Sequence, residues 1–567
     1  MATEKTDVVI VGLGAAGGIL AAELGKAGLK VIGLERGPRL ATADFSALDE
    51  LRYFQRQDLR PNAKRQPVTW RPNAKARANP LPILNYGNQA GGGTVHYGAI
   101  SWRFHEDDFR SRSQTIERYG ASAIPKDCSL IDWPLTSADL EPFYDRAEYE
   151  LGVSGKAGNV QGRKIEGGNP FEAPRRREYP LPPLMADQSG VIFAAGARKL
   201  GYHPFSSPRA ILSQTYQGRP GCSYCGFCQA FGCHIGAKSS ILVTKLPEAD
   251  ATGNFKLLTG AMCYRVKSDN SGRATGVSYW GSDGSDNTIE AELVILAPFI
   301  YDNTRLLLLS KTAKFPNGLA NSSGVLGHYL MDHHFLVGAR GRIDGLLDRY
   351  YQGNRPNGIY IPRFRNLGDD ASRRDYVRGF GYQGGAGREG WGRGSSEAGL
   401  GVELKRRLQE PGGWSMGLTG FGECLPREDN YAALSDQTDE FGIPVLRIHC
   451  TWGDNELAMR TDMAASAAEM LQAAGVKDVR TYDARREEGL GAEPGLGIHE
   501  MGTARMGRDP RTSVLNAHNQ AHDVPNLFVT DGACMASSSC VNPSITYMAL
   551  TARTCDYAVG ELKRGNL

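Results

Sequence analysis

The chain has 567 residues, of which 41% are apolar and 22% charged, and its formal charge is +3. This balance excludes a disordered chain, a coiled coil and a collagen-like fibre, and it gives no reason to expect nucleic acid or an acidic membrane surface as the main partner. A chain of this length can bury a large core and can fold as two interleaved lobes.

The first 37 residues predict a strand, a glycine-rich turn, a helix and a second strand. Residues 7–11 are apolar, residues 19–27 have helical composition, and Gly28 suits the end of a helix. Residues 30–34 form a second apolar run, which Glu35 closes. The segment therefore predicts a βαβ unit.

The turn of this unit carries a dinucleotide fingerprint. Gly12, Gly14 and Gly17 form GxGxxG after the first strand, and Glu35 follows 18 residues after Gly17. The glycines allow a tight turn, close approach to a pyrophosphate and close helix packing, while the carboxylate can bind ribose hydroxyls. A bound dinucleotide is predicted, and this motif alone leaves FAD and NAD open.

The middle of the chain alternates irregular and regular segments. Residues 55–85 predict an extended surface segment, residues 136–152 a capped amphipathic helix, and residues 155–190 a loop. Residues 255–297 contain β-type runs, and residues 301–310 predict a helix.

Four cysteines between these segments predict a metal site. Cys222, Cys225, Cys228 and Cys233 have the spacing C-x2-C-x2-C-x4-C, which is unlike a disulfide framework. Bacterial ferredoxin runs wrap a cluster in a similar way, although the last gap here is four residues rather than three. An iron–sulfur cluster is favoured; zinc and unmetallated core cysteines are the alternatives.

The last part of the chain is clearer at its end than at its start. Residues 340–420 are rich in Arg and Gly and are assigned only to a variable substrate lobe, whereas residues 456–474 predict a helix. Residues 526–532 predict a buried strand and turn, followed by a helix from Pro543. No run of 18 apolar residues occurs and no signal peptide is evident, so no transmembrane helix is expected.

Several segments together resemble the glucose–methanol–choline (GMC) oxidoreductases. They are GGGTVHYGAISWR (91–103), DWPLTSADLEPFYDRAE (132–148), RLLLLS (305–310), GIHEMGTARMG (497–507), NLFVTDGACM (526–535) and NPSITYMALTAR (542–553). The resemblance covers nearly the whole chain. It implies an α/β fold in which a Rossmann-like FAD-binding lobe interleaves with an α+β substrate lobe that carries an antiparallel sheet.

The resemblance also divides the chain between the two lobes. The FAD-binding lobe is expected to comprise 1–150, 205–330 and 495–567, with the Cys-rich insert at 221–238, and the substrate lobe 151–204 and 331–494. It further places a set of residues at FAD: Gly92, Gly93, Thr94, His96, Asp531 and Gly532. At the position of His96 some relatives carry a covalent flavin link, which stays open here.

The resemblance places His499 at the catalytic base and Asn542 beside it. A neutral imidazole suits removal of a hydroxyl proton while hydride leaves for the flavin, and an amide can orient the substrate oxygen without titrating. His333 and His334 are interpreted as structural or close to the flavin, with an ordinary surface or core position as the alternative. Glu500 is read either as tuning the base or as an ordinary surface carboxylate.

The expected activity is that of an FAD-dependent dehydrogenase of a sugar or glycoside hydroxyl, with a pyranoside C3 hydroxyl as one candidate. The motifs around His499 and Asn542 look most like glucoside 3-dehydrogenases, whereas the Cys-rich segment looks closer to gluconate dehydrogenases. A polyol dehydrogenase, an oxygen-using oxidase and an electron-transfer subunit are the alternatives. A 3Fe-4S or 4Fe-4S cluster would pass electrons to an acceptor.

The resemblance also implies partners and a location. A small chaperone-like subunit and a cytochrome c acceptor are expected, with membrane association only through partner subunits. Relatives of this type are often exported folded, which favours the periplasm; a cytoplasmic location stays open.

Overall fold

The computed structural model places most strands in two large sheets with helices packed against them, and the other strands form a four-stranded sheet and a two-stranded ribbon. The described residues are 3–45, 56, 58–60, 68–80, 86–186, 188–347, 358–368, 370, 372, 374–389, 397–410, 412–484 and 498–567. The strands, in chain order, are β1 Thr3–Val11, β2 Val31–Glu35, β3 Thr69–Arg71, β4 Asn79–Pro80, β5 Asn159–Val160, β6 Arg163–Lys164, β7 Phe205–Ser206, β8 Phe255–Thr259, β9 Met262–Ser268, β10 Ala274–Trp280, β11 Asp286–Leu296, β12 Val337–Ile343, β13 Ile359–Ile361, β14 Phe380–Arg388, β15 Trp414–Gly422, β16 Tyr431–Thr438, β17 Pro444–His449, β18 Lys477–Asp483 and β19 Leu527–Val529. The helices are α1 Ala15–Lys26, α2 Ser111–Tyr119, α3 Ser137–Leu151, α4 Gln188–Lys199, α5 Lys245–Ala251, α6 Ile300–Leu309, α7 Gly401–Gln409, α8 Asp454–Ala473 and α9 Ser544–Lys563.

The main sheet has the strand order β8-β2-β1-β11-β10-β9, with β19 also paired to β11. The pairs β8–β2, β2–β1, β1–β11 and β11–β19 are parallel, whereas the pairs β11–β10 and β10–β9 are antiparallel. Residues 8–11 of β1 are buried, as expected for a parallel strand covered on both faces. Because β19 returns from the far end of the chain, this sheet is assembled from separated segments, which agrees with the interleaved lobes.

The βαβ unit at the start of the chain is confirmed, with one correction. Helix α1 begins at Ala15, four residues before the predicted start at residue 19. The prediction was late because Gly17 and Gly18 are poor helix formers, yet both lie buried inside α1. Tight packing compensates for their weak propensity: a Cβ on Gly17 would lie 1.9 Å from the carbonyl oxygen of Gly12.

The second large sheet is antiparallel, in the order β18-β12-β15-β14-β13-β7. Its strands and the helices α4 and α8 enclose a second apolar core that includes Met459, Met463 and Leu418. The antiparallel sheet predicted for the substrate lobe is thus confirmed. The predicted residue boundaries between the lobes stay a prediction; β7, at the predicted boundary, pairs with β13.

Two further elements bear on the sequence analysis. Helix α3 confirms the predicted capped helix: the amide of Asp139 donates to Thr136 Oγ1, and Thr136 donates back to the Asp139 carboxylate. The predicted surface segment 55–85 falls largely outside the described residues, and its described part contains the short strands β3 and β4. In the described ranges, no helix is both long enough and apolar enough to cross a bilayer.

Candidate active site

A cavity of about 620 Å³ is lined by residues of both large sheets. Gly12, Gly14 and Glu35 contribute from the main sheet, and Tyr360 and Gln383 contribute from the second sheet. The volume is within the range of cofactor and substrate sites. The lining also includes the other predicted flavin and catalytic residues, apart from Gly17: Gly92, Gly93, Thr94, His96, His499, Asp531, Gly532 and Asn542.

Two glycine turns pack closely against each other in the wall of this cavity. Gly12 has a φ of +87°, and a Cβ there would lie 2.3 Å from the Cα of Pro298. Gly92 has a φ of +51°, and its Cβ would lie 2.8 Å from the Cα of Gly14. Gly14 directly precedes α1, whose N-terminal amides favour a phosphate group. The packing of these turns excludes side chains here, which leaves bare backbone along the cavity for a pyrophosphate to approach.

Glu35 lies at the carboxyl end of β2, where the fingerprint predicts a ribose ligand. Its two oxygens accept from the amides of Leu13 (3.0 Å) and Gly37 (2.8 Å). Burial raises the pKa of Glu35, and the two amides partly oppose that rise. Each carboxylate oxygen has a further lone pair, so the side chain is oriented and can still accept from ribose hydroxyls.

The turn that carries Gly93, Thr94 and His96 forms a second part of the wall. Thr94 Oγ1 donates to the carbonyl oxygen of Gly91 at 2.5 Å and accepts from the amide of Ile241. The imidazole of His96 is 6% exposed and lines the cavity. Its position beside the predicted flavin leaves the covalent link as a prediction.

Asp531 and Gly532 follow β19 and complete this wall. The Asp531 carboxylate accepts from the amides of Phe299 (3.0 Å) and Ala533 (2.9 Å) and from the Asn303 side chain (2.6 Å). Burial raises the pKa of Asp531 to about 6 despite these hydrogen bonds. The carboxylate therefore fixes the turn as well as lining the cavity.

His499 and Asn542 are brought together as predicted. His499 Nε2 lies 3.1 Å from Asn542 Nδ2. Asn542 Oδ1 accepts from Trp102 Nε1 at 3.1 Å and from Gln383 Nε2 at 2.8 Å. Because an indole N–H can only donate, it fixes the amide oxygen on its own side and turns the amide N–H towards His499. His499 Nε2 therefore accepts a hydrogen bond and carries a lone pair.

A second imidazole fixes the other nitrogen of His499. His333 Nε2 lies 3.1 Å from the carbonyl oxygen of Ser538, which can only accept, so this nitrogen of His333 carries the proton. His333 Nδ1 is then an acceptor, and it lies 2.9 Å from His499 Nδ1. His499 must accordingly hold its proton on Nδ1. The contacts of His499 with Asn542 and with His333 thus assign the same tautomer to His499, with an unprotonated Nε2 that faces Asn542.

Burial keeps both imidazoles neutral. It lowers the pKa of His333 to about 4. Burial, together with the neighbouring His333, lowers the pKa of His499 well below the usual histidine range. An imidazole is neutral at every pH above its pKa, so the lowered pKa leaves His499 unprotonated and available as a base at neutral pH.

The four predicted ligand cysteines line one small cavity together with Lys238. All eleven cysteines of the chain lie in described ranges, and none of them forms a disulfide there. Within those ranges, no three His, Cys, Asp or Glu side chains are placed as ligands of a single metal ion. Four thiols around a shared space nevertheless fit a polynuclear group, in which each thiolate binds a different iron.

The segment that carries the four cysteines, residues 222–233 (the cysteine loop), borders the large cavity through Gln229 and Ala230. Lys238 is 2% exposed, and its Nζ donates to the carbonyl oxygens of Cys228 (2.7 Å), Phe231 (2.7 Å) and Tyr97 (3.3 Å). The amide of Ala230 donates to the carbonyl oxygen of His96 at 2.8 Å. A buried ammonium group thus ties the loop to the turn that holds the predicted flavin contacts.

Comparison with known proteins places the chain in a family. A gluconate 2-dehydrogenase flavoprotein of Pantoea cypripedii is 30% identical over 97% of this chain and 92% of its own. The chain belongs to the GMC oxidoreductases. The C-terminal GMC oxidoreductase domain matches residues 426–551. The fructose dehydrogenase large subunit of Gluconobacter japonicus is 28% identical over 99% of both chains, and a formate oxidase of Aspergillus oryzae RIB40 shares the fold at 15% identity, with a TM-score of 0.62 over 99% of both chains.

This GMC enzyme is an FAD-dependent oxidoreductase that acts on CH–OH groups. The closely packed glycine turns and the two amides that orient Glu35 fit the dinucleotide part of FAD. Two secondary predictions are now decided. His334 is fully buried and does not line the cavity. Its Nε2 lies 3.2 Å from the carbonyl oxygen of Glu423, so the role of His334 is structural. The surface reading of Glu500 is wrong, since it is 8% exposed and lines the cavity.

The sequence analysis missed several residues of this GMC site. Trp102 and Gln383 orient Asn542, Ser538 orients His333, and Arg209 lines the cavity. Trp102 lies inside the recognised segment 91–103, and Ser538 lies between the segments 526–535 and 542–553, which was the available signal. Gln383 lies on β14, in a glycine-rich stretch without periodicity, and no local pattern marks it.

Proposed function

We propose that the protein is a dehydrogenase that oxidises a hydroxyl group of a sugar, glycoside or sugar acid to a carbonyl group. The carrying observation is the His499–Asn542 pair in the wall of the dinucleotide cavity, with an unprotonated Nε2. The relatives named gluconate 2-dehydrogenase and fructose dehydrogenase support carbohydrate substrates. The pyranoside C3 hydroxyl of a glucoside is a second candidate substrate, favoured by the motifs around both residues.

The chain's own residues supply the proton transfer. A substrate hydroxyl that enters between His499 and Asn542 donates its proton to His499 Nε2, while its oxygen accepts from Asn542 Nδ2. Trp102 and Gln383 keep that amide in place, which positions the reacting C–H bond. As the imidazole gains the proton, His333 Nδ1 strengthens its bond to His499 Nδ1–H and stabilises the charge. Bound FAD supplies the hydride acceptor.

The proposed route for electrons out of the enzyme is the cysteine site. Gln229 and Ala230 follow Cys228 directly and line the large cavity, which supports a short path from the flavin. The four cysteines would hold an iron–sulfur cluster, which would supply a one-electron acceptor. Lys238 holds the loop through its carbonyl oxygens and lines the same small cavity as the four thiols. This arrangement favours a dehydrogenase with an external acceptor, such as a cytochrome, over an oxidase.

Partners and location belong to the same proposal. The relative named a large subunit supports assembly with further subunits. We place the protein in the periplasm, where a small chaperone-like subunit and a cytochrome c partner hold it at the membrane.

The test of the function is anaerobic mixing of the purified holoenzyme with sugars, glycosides, polyols and sugar acids. At least one class should bleach the oxidised flavin spectrum. If none does, the protein is an electron-transfer subunit instead. Stoichiometric peroxide on exposure of a productive mixture to air, without need of another acceptor, would indicate the oxidase.

The metal proposal has its own test. The purified enzyme should contain iron and acid-labile sulfide, and Cys228→Ser should lose most of the iron while keeping FAD, because one thiolate ligand is gone. Cys128→Ser is the matched control, since Cys128 is a half-buried free thiol outside the cysteine cavity. Zinc in place of iron, or equal iron in both variants, would refute the assignment.

A further inference from the structure

Arg209 places a buried positive charge in the wall of the catalytic cavity without a carboxylate beside it. The residue is 8% exposed and lines the cavity. Its Nη1 donates to the carbonyl oxygen of Gly98 at 2.7 Å, and its Nη2 reaches the Tyr360 hydroxyl only at 3.5 Å. In the described part of the chain, no Asp or Glu forms an ion pair with it.

The guanidinium therefore has donors to spare. Arg209 Nε is buried and has no hydrogen-bond partner among the described residues. A guanidinium has five N–H groups, and burying its charge is costly unless an anion or a full set of acceptors compensates. Arg209 has one short hydrogen bond to a carbonyl oxygen and a ring contact with Tyr360 at 5.9 Å. These contacts leave most of its N–H groups without a close acceptor and its charge without an anion. A carboxylate, which accepts two parallel N–H bonds, is the ligand that suits it.

Two side chains join Arg209 to the catalytic pair. The Tyr360 hydroxyl donates to Gln383 Oε1 at 2.9 Å, and Gln383 Nε2 donates to Asn542 Oδ1 at 2.8 Å. All four residues line the same cavity. A ligand that extends along this wall can therefore contact Arg209 at one end while a hydroxyl group a few bonds away meets Asn542 and His499.

We propose that Arg209 binds the carboxylate of the substrate, so that the enzyme acts on sugar acids, such as aldonates or uronates, in preference to neutral sugars. This inference rests on the proposed dehydrogenase function and narrows its substrate class. The competing role for Arg209 is to offset charge on the nearby Cys228 thiolate. Lys238, whose Nζ binds the Cys228 carbonyl oxygen, already supplies a cation there.

The test measures binding separately from turnover. Holoenzyme whose flavin has been reduced with dithionite cannot oxidise a substrate, so calorimetry can compare the members of matched pairs: D-gluconate with D-glucitol, and D-glucuronate with D-glucose. In at least one pair, the acid should bind more tightly than its neutral counterpart. Arg209→Gln should lower the binding affinity for that acid by roughly 30-fold or more and should change the affinity for the neutral ligand little. Arg209→Lys should retain part of the preference.

Arg219→Gln is the matched control. Arg219 is a half-buried arginine that donates to Gly236 and Ser239 near the cysteine loop, and it does not line the large cavity. This variant should keep the acid preference. The proposal is overturned if no acid binds more tightly than its counterpart, or if Arg209→Gln loses iron while the preference persists. Failure of every ligand to bleach the oxidised flavin would refute the proposed function alone, because the binding comparison still decides the role of Arg209.

Discussion

Replacing His499 by alanine is expected to leave FAD bound and to slow flavin reduction by roughly 10²- to 10⁴-fold, the usual contribution of a general base. FAD should stay bound because its predicted contacts lie on other residues, such as Glu35 and the two glycine turns. The rate should fall because Asn542 can position the hydroxyl oxygen but cannot take its proton. Anaerobic stopped-flow absorbance of the flavin measures this step without the external acceptor.

The same measurement gives a pH prediction. Burial lowers the pKa of His499, so the neutral base is present above the lowered value and is lost only as the pH falls through it. The wild-type rate should therefore stay level from alkaline pH to below the ordinary histidine pKa of about 6.5. His203→Ala is the control, since His203 is exposed, lies against the edge of the Phe171 ring and does not line the catalytic cavity. A wild-type rate in His499→Ala would remove His499 from the mechanism.

Asp108→Ala should be the most destabilising of the single substitutions considered. Asp108 Oδ1 binds Arg363 Nη1 at 3.0 Å and Arg378 Nη2 at 2.7 Å, and all three side chains are fully buried. Burial alone would raise the pKa of Asp108, but the contact of its carboxylate with the His105 ring and the two guanidinium groups hold the pKa below the usual range. Removing one partner of such a buried network costs about 3–5 kcal/mol.

The loss should also reach the active site. Ser539 Oγ donates to Asp108 Oδ2 at 2.6 Å, and Ser537 Oγ donates to its carbonyl oxygen at 2.9 Å. These bonds hold the segment on both sides of Ser538, which orients His333. Thermal unfolding followed by circular dichroism should show a lower Tm for Asp108→Ala, with a smaller loss for Asp108→Asn. Asp509→Ala, at an exposed ion pair with Arg511, is the control. Equal Tm values for Asp108→Ala and the control would refute this account.

Local patterns made much of the main lobe predictable. The glycine turn, β1 and the acid at the end of β2 all lie within 35 residues, so their geometry follows from a short stretch of chain. His499 and Asn542 lie within recognised motifs, and the structure brings them to 3.1 Å as the resemblance implies.

Local patterns did not predict the strands of the second sheet or the hydrogen bonds that orient the catalytic residues. Strand β14 carries four glycines in nine residues, which hides the alternation that marks a strand. The contacts that orient the base join positions far apart in the chain: Trp102 and Asn542 are 440 residues apart, and His333 and His499 are 166 apart. No local pattern records such pairings, since they exist only after the lobes have packed together.

The central claim is that His499 carries its proton on Nδ1 and offers a bare Nε2 to the substrate. Solid-state ¹⁵N NMR of histidine-labelled holoenzyme tests this directly, because protonated and bare imidazole nitrogens resonate far apart, and a difference spectrum against His499→Asn identifies the residue. The account predicts a neutral ring at pH 7 with a protonated Nδ1 and an unprotonated Nε2, and loss of that single form in His333→Leu. A proton on Nε2, or an imidazolium at pH 7, would contradict it.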